Sequence, residues 1–415
     1  MQLINRITDA LDDRTMNEKL ALALLVPIIF WVWGATIHTG HAYAVIIAGA
    51  LLVFMMLPSI PLKVFGFYLA VYTAWIFSSA CAKLMPGEIL GQASDSVLLI
   101  MAAAVYFLII YHGKMEIEKY ASWICSVTLV LAVMGIAMYY LKNLPAVAFL
   151  GNQNFLAAWL AIAFPFFIRQ GEYRYFVKPR FYFPRSWWGR FFDHKITMWA
   201  VCVPILLLTF YLCQTTTAFV AAMAGTAYSL WPQIRAAKLK ISIPICAVIG
   251  GVVIYYAFIY HPFIRSPRFG YWKDLLLDLS SGWHFSNSWP FVTVTTGWHY
   301  LFFGVGPGVL WRVGDMLHSE YAYGMFYFGI VGLVFYAAII ATVPRSNRTL
   351  YASFIAIIVD MIGNHLFHTA PTAILSIIPV ALLFRIDREH RKARGMKESK
   401  FGFNLRRPSW LGGIK

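Results

Sequence analysis

Three histidines and four basic side chains gather in one polar stretch of the chain, Arg265 to His318: Arg265, Arg268, Lys273 and Arg312 with His284, His299 and His318. An imidazole, with an ordinary pKa of about 6.5, accepts a proton from an attacking hydroxyl near neutral pH. A guanidinium grips anionic oxygens through paired N–H groups, as a lysine point charge does not. The stretch is therefore equipped for general-base catalysis on a hydroxyl beside a charged group. It is also rich in tryptophan. Trp272 follows Arg268 by four residues and shares its face if that segment is helical, placed either to stack on a ring or to sit in an interfacial aromatic belt.

The elements that must position these groups are apolar. The chain has 415 residues, 60% hydrophobic and 17% aromatic, with only 13% charged and a mean hydropathy of +0.66. Soluble domains carry about 25% charged residues, so the composition predicts an all-α integral membrane protein. Segments long enough to cross about 30 Å of hydrocarbon number about twelve. They fall at 20–37, 42–56, 64–82, 96–111, 120–141, 154–168, 196–214, 218–234, 241–259, 321–343, 350–368 and 372–384. Residues 1–19 carry acidic groups and no cleavage pattern, so the first span is expected to begin the bundle.

Basic loops stay on the cytoplasmic side. With the N-terminus inside, most of the 34 Lys and Arg residues fall inside, in the stretch 169–195, the short RAAKLK at 235–240 and a basic cytoplasmic tail at 385–415. The polar loop 260–320, between the ninth and tenth spans, then faces outward. The net charge of +16 is explained by this asymmetry and by contact with anionic membrane lipids, so no nucleic-acid partner is expected. Cys81, Cys125, Cys202, Cys213 and Cys246 lie in or beside spans without CxxC spacing and read as buried apolar residues. No repeat appears, and 1–415 reads as a single polytopic domain. A loop of this size is expected to hold short helices packed on the bundle rather than a separate enzyme domain.

Several motifs in fixed order resemble the O-antigen ligase and polymerase superfamily. GNQNFLAAWLAIAFP at Gly151–Pro165 is similar to the Gly-Asn-Pro-Asn and apolar helix of that family. The Arg-x-x-x-Trp of Arg268–Trp272 follows, then Gly-x-Gly-Pro-Gly at Gly304–Gly308, then His318 leading HSEYAYGMFYFGIVGL. The resemblance covers 151–333. It implies a C-type, metal-independent, inverting membrane glycosyltransferase without cofactors, taking a glycan from undecaprenyl pyrophosphate on the periplasmic side of a bacterial inner membrane. The acceptor would be lipid A core in a ligase, a second lipid-linked repeat in a polymerase, or a protein hydroxyl in an oligosaccharyltransferase.

On the same resemblance His318 is the general base and Arg268 holds the pyrophosphate, with Arg265 and Arg312 as helpers. Asn152, Asn154, Trp272, His299, Glu320 and His368 become candidates for glycan or acceptor contact. Asn154 has an alternative as a cap for the following helix, and the Gly304–Gly308 run reads as a tight turn. Carboxylates are few in the loop, namely Asp274, Asp278, Asp315 and Glu320, which favours direct displacement over a covalent glycosyl-enzyme.

One departure stands out. The family commonly has a Ser-Arg-Gly-Ala type turn whose arginine binds phosphate. Here CQTTTAFVAAMAG puts Thr215, Thr216 and Thr217 there, with Thr216 in the arginine's place. Hydroxyls and Gln214 can hydrogen-bond phosphate or sugar but add no charge. Independently of the family, Asp360, Asn364 and His368 recur at helical spacing in the eleventh span and are expected to share one face. An ionisable group at that depth is expensive and marks a functional candidate, against the plainer reading of a buried partner to another span. A lipid-linked glycan transporter is the alternative from another class, for which broken helices near the midplane would be the sign.

Overall fold

The computed structural model describes residues 66, 100–107, 109–110, 117–142, 148–150, 153–168, 201–213, 215–236, 302, 304, 320–364, 366 and 370–394. Among these every regular element is helical and none is a strand. The helices are α1 (Ile117–Lys142), α2 (Gln153–Ile168), α3 (Val203–Cys213), α4 (Thr216–Ala236), α5 (Glu320–Thr342), α6 (Arg348–Asp360) and α7 (Ala370–Ala393), with a 3-10 turn at Ala148–Leu150 before α2. By length and composition α1 can cross a membrane: its stretch Ile124–Leu141 has a mean hydropathy of 2.1. The expected spans at 20–37, 42–56 and 241–259 lie outside the described residues, as does the one at 64–82 apart from Gly66.

Helix α2 is the hub. Every one of its residues except Asn154 is buried, and it packs against α1, α3, α4, α6 and α7. A helix apolar on all sides has no preferred outer face and belongs at the centre. Its largest side chain, Trp159, is fully buried and donates its indole N–H to Thr128 Oγ1 of α1 at 2.9 Å. That hydroxyl in turn donates to the Ile124 carbonyl at 2.6 Å. The Thr128→Val variant keeps the shape but strands the indole donor. We expect it to lower stability by about 1–3 kcal/mol, read as a reduced midpoint of thermal unfolding in detergent.

Named contacts fix the helix directions. Tyr120 meets Phe166 edge to face while Trp159 meets Thr128, so α1 and α2 run antiparallel. Asn154 meets Thr215, and Pro165 lies beside Gly225, so α2 and α4 run parallel. Helix α6 opposes α4: Gly363, just past its end, abuts Thr217, Ala352 and Ala356 abut Gly225, and Arg348 donates to the Tyr228 carbonyl at 2.8 Å. Tyr321 donates to the Ile358 carbonyl at 3.1 Å, which holds the start of α5 at the finish of α6. The end of α4 and the start of α5 therefore lie at opposite ends of the bundle.

The starts of α2, α4 and α5 and the finish of α6 lie together at one end of the bundle, its polar end. The opposite end is basic. Asn347 caps α6, accepting the Leu350 N–H at 3.1 Å from extended backbone. Arg348 lies over the Tyr228 ring and Arg345 over the Tyr351 ring. A hydrogen bond to Tyr351, and then the charge of that phenol, raise Arg345 above its ordinary pKa. Arg385 and Arg388 donate to the carbonyls of Ile109 and Ile110, each at 3.1 Å.

Three expectations about elements are corrected. The eleventh span stops at Asp360 rather than His368, because Gly363 and Asn364 form a turn against Thr217 and Glu320 instead of prolonging the helix. Asp360 and Asn364 are nevertheless side by side, and His368 lies outside the described residues. Helix α7 runs on to Ala393, nine residues into the stretch read as a tail, because i,i+4 pairs Arg385–Glu389 and Asp387–Arg391 sustain it. Finally α5 is broken at Gly329, whose φ of 64° and ψ of −162° are not helical. Cys125, Cys202 and Cys213 are buried, as expected.

Candidate functional site

At the polar end of the bundle the two motifs singled out on either side of residue 200 meet. Thr215, at the entry to α4, donates its hydroxyl to Asn154 Oδ1 at 3.2 Å and lies equally close to the Cys213 carbonyl. Asn154 sits within the first turn of α2, which begins at Gln153. It is therefore not a cap for that helix; its side chain spans to the neighbouring element instead. Beside it Gln153 is buried, and its Oε1 has no hydrogen-bond partner. An acceptor left in that state costs about 1–3 kcal/mol, which a ligand hydroxyl would relieve.

The same end receives the last turn of α6. A Cβ on Gly363 would stand 2.5 Å from Thr217 Oγ1, so only glycine permits this approach. Asp360 is fully buried. Its Oδ1 accepts from Asn364 Nδ2 at 2.7 Å, and its Oδ2 has no partner. The turn is joined to the end of the polar loop: the Glu320 N–H donates to the Met361 carbonyl at 2.9 Å and the Asn364 carbonyl at 3.3 Å. Glu320 itself is 2% exposed.

Among the described residues, then, the polar end gathers Gln153, Asn154, Thr215, Thr217, Asp360, Asn364 and Glu320. None of these side chains is cationic. The cluster is acceptor-rich and suits a ligand offering hydroxyls, while phosphate would need charge from elsewhere. No group of three or more His, Cys, Asp and Glu that would hold a metal ion occurs among the described residues.

Of the other residues expected at the site, Arg265, Arg268, Trp272, His299, Arg312, His318, Asn152 and His368 lie outside the described residues. Thr216 is the first residue of α4. From the Gly-x-Gly-Pro-Gly run Gly304 is described: it has a φ of 74°, and a Cβ there would collide with the Tyr327 carbonyl. Gly304 packs beside Tyr327 and Phe328, next to the break of α5 at Gly329, and the rest of the expected turn lies outside the described residues. Sequence reasoning missed Gln153 and Gly363. A glycine inside an expected span was the available signal for the second; nothing local marks the first.

Compared with known protein families, with curated proteins and with solved structures, the chain matches none.

Proposed function

We propose that this chain is an integral membrane protein of about twelve spans that transfers a glycan from undecaprenyl pyrophosphate to an acceptor hydroxyl. The reaction would take place on the periplasmic side of a bacterial inner membrane, with O-antigen ligation onto lipid A core as the first choice. The observation that carries the reading is the meeting, at one end of the bundle, of the Asn154 motif, the Thr215–Thr217 turn and the end of the His318 loop at Glu320. The first and last belong to motifs whose order resembles the ligase and polymerase superfamily, and the Thr turn stands where that family carries its arginine. Their contact is what a shared site requires.

In this reading the acceptor oxygen attacks the anomeric carbon as His318 takes its proton. The bond from that carbon to the pyrophosphate oxygen breaks, and undecaprenyl pyrophosphate departs with its charge held by Arg268 and Arg265, assisted by Arg312. The uncharged Thr216 in place of the family's arginine leaves more of that charge to the loop. Asn152, Asn154, Trp272, His299 and His368 would contact sugar.

A second reading, passage of a lipid-linked glycan across the bilayer, draws on the break in α5. Non-helical backbone within a span is tolerated only where it is buried in protein or lines a cavity. One experiment separates the two. Vesicles containing the protein receive labelled undecaprenyl pyrophosphate-linked glycan with lipid A core, a second lipid-linked repeat or a Ser/Thr-rich protein. Label on one of the acceptors supports transfer and names the branch. Movement of intact donor between leaflets without transfer supports the carrier.

A further inference from the structure

A buried carboxylate at the finish of α6 is doubly unfavourable, since the C-terminus of a helix is its negative end and the interior solvates charge poorly. A neutral or apolar side chain would pack there at lower cost, so Asp360 calls for a role beyond filling space. Its contacts indicate one. The Asp360 carbonyl accepts from the amides of Gly363 at 3.1 Å and Asn364 at 2.9 Å, and its carboxylate accepts from the Asn364 side chain at 2.7 Å. The residue thus holds the terminal turn by backbone and side chain together. That turn presents the Met361 and Asn364 carbonyls to the Glu320 amide, and Tyr321 adds its bond to Ile358. Gly363 pressed against Thr217 keeps the turn from moving toward α4.

We infer that Asp360 is a positioning residue: through Asn364 it fixes the turn that anchors Glu320, and so sets the end of the loop that carries His318. His318 precedes this anchor by two residues of sequence. The inference rests on the transfer reading for its catalytic consequence, but the anchor itself is a structural claim that can be tested without substrate. Asp360 and Asn364 touch no reacting atom in this account. They act by holding the loop end where the base meets the acceptor hydroxyl.

The test uses the full chain in membranes. Asp360→Ala and Asn364→Ala are expected to lower kcat for glycan transfer about tenfold with donor KM changed less than about twofold, since small misplacements of a reacting group cost rate rather than binding. Asp360→Asn keeps an acceptor oxygen for Asn364 and is expected to recover transfer to within about threefold. A pair of introduced cysteines, Ser319→Cys and Ile362→Cys, supplies a readout independent of activity. Their oxidative cross-linking should be fast with Asp360 or Asn at position 360 and slow with Ala. Cross-linking that ignores position 360, or equal loss of transfer in Asp360→Asn and Asp360→Ala, overturns the inference. Asp360-dependent cross-linking in a protein that transfers nothing upholds the anchor and removes the transfer reading instead.

Discussion

Replacing His318 with alanine is expected to lower glycan transfer by about 10²–10⁴-fold, the usual contribution of a positioned general base. Protein abundance in the membrane should not change. The expectation follows from chemistry in which a sugar or protein hydroxyl must lose its proton as it attacks, with His318 two residues before Glu320 in sequence. The anchor at Glu320 gives the effect a structural basis: the Glu320 amide is held by two carbonyls of the turn after α6. The rate is measured with saturating donor. A His318→Ala protein that transfers at the wild-type rate would transfer the role of base to another residue. A loss accompanied by disappearance of the protein would speak only of folding, and the measurement is therefore normalised to membrane abundance.

Gly225→Leu is expected to be the most damaging single change to the described helices. Gly225 sits where α2, α4 and α6 come together, and a Cβ there would stand 2.7 Å from the Ala352 carbonyl, 3.2 Å from the Pro165 ring and 3.3 Å from the Ala356 methyl. A backbone carbonyl cannot rotate aside as a side-chain tip can, so the added carbons must push α4 and α6 apart. Overpacking of this kind typically costs about 1–3 kcal/mol and more where backbone must move. The gain of about 1 kcal/mol from replacing a helical glycine does not offset it. A contrasting variant is Gly66→Ala: a Cβ at helical, exposed Gly66 meets nothing within 4 Å and should leave stability unchanged or slightly raised. Thermal unfolding in detergent compares the two; equal midpoints for Gly225→Leu and the wild type would contradict the packing described.

Because α2 and α4 are parallel to one another and opposed by α6, such a change would also disturb the polar end of the bundle at a distance. Separation of α4 from α6 takes Thr217 away from Gly363 and with it the support of the Glu320 anchor. Loss of transfer in Gly225→Leu is thus expected, and is distinguished from the His318→Ala effect by the accompanying loss of stability.

Much of the helix placement was legible in the sequence where length and apolarity define an element. The expected spans 120–141, 154–168, 218–234 and 321–343 correspond to Ile117–Lys142, Gln153–Ile168, Thr216–Ala236 and Glu320–Thr342. The ends were less legible where tertiary contacts compete with the helix. Met361 to Asn364 leave α6 because Glu320 and Thr217, both distant in sequence, take up or abut their backbone. Asn154 was read as a cap or a sugar contact from its immediate neighbours, whereas its observed partner, Thr215, lies 61 residues away. The extension of α7 was readable in principle, from Arg385–Glu389 and Asp387–Arg391 at helical spacing, but the basic composition of that stretch weighed toward a tail. For the site, Asp360 and Asn364 were correctly picked as a pair and wrongly placed on a continuous helix.

The most direct measurement is made on purified wild-type protein given labelled undecaprenyl pyrophosphate-linked glycan and acceptor in EDTA, without nucleotide, with the anomeric configuration of the product determined. The account predicts transfer with inversion and one undecaprenyl pyrophosphate released per glycan joined. Retention of configuration, or intact donor with every acceptor offered, would contradict it.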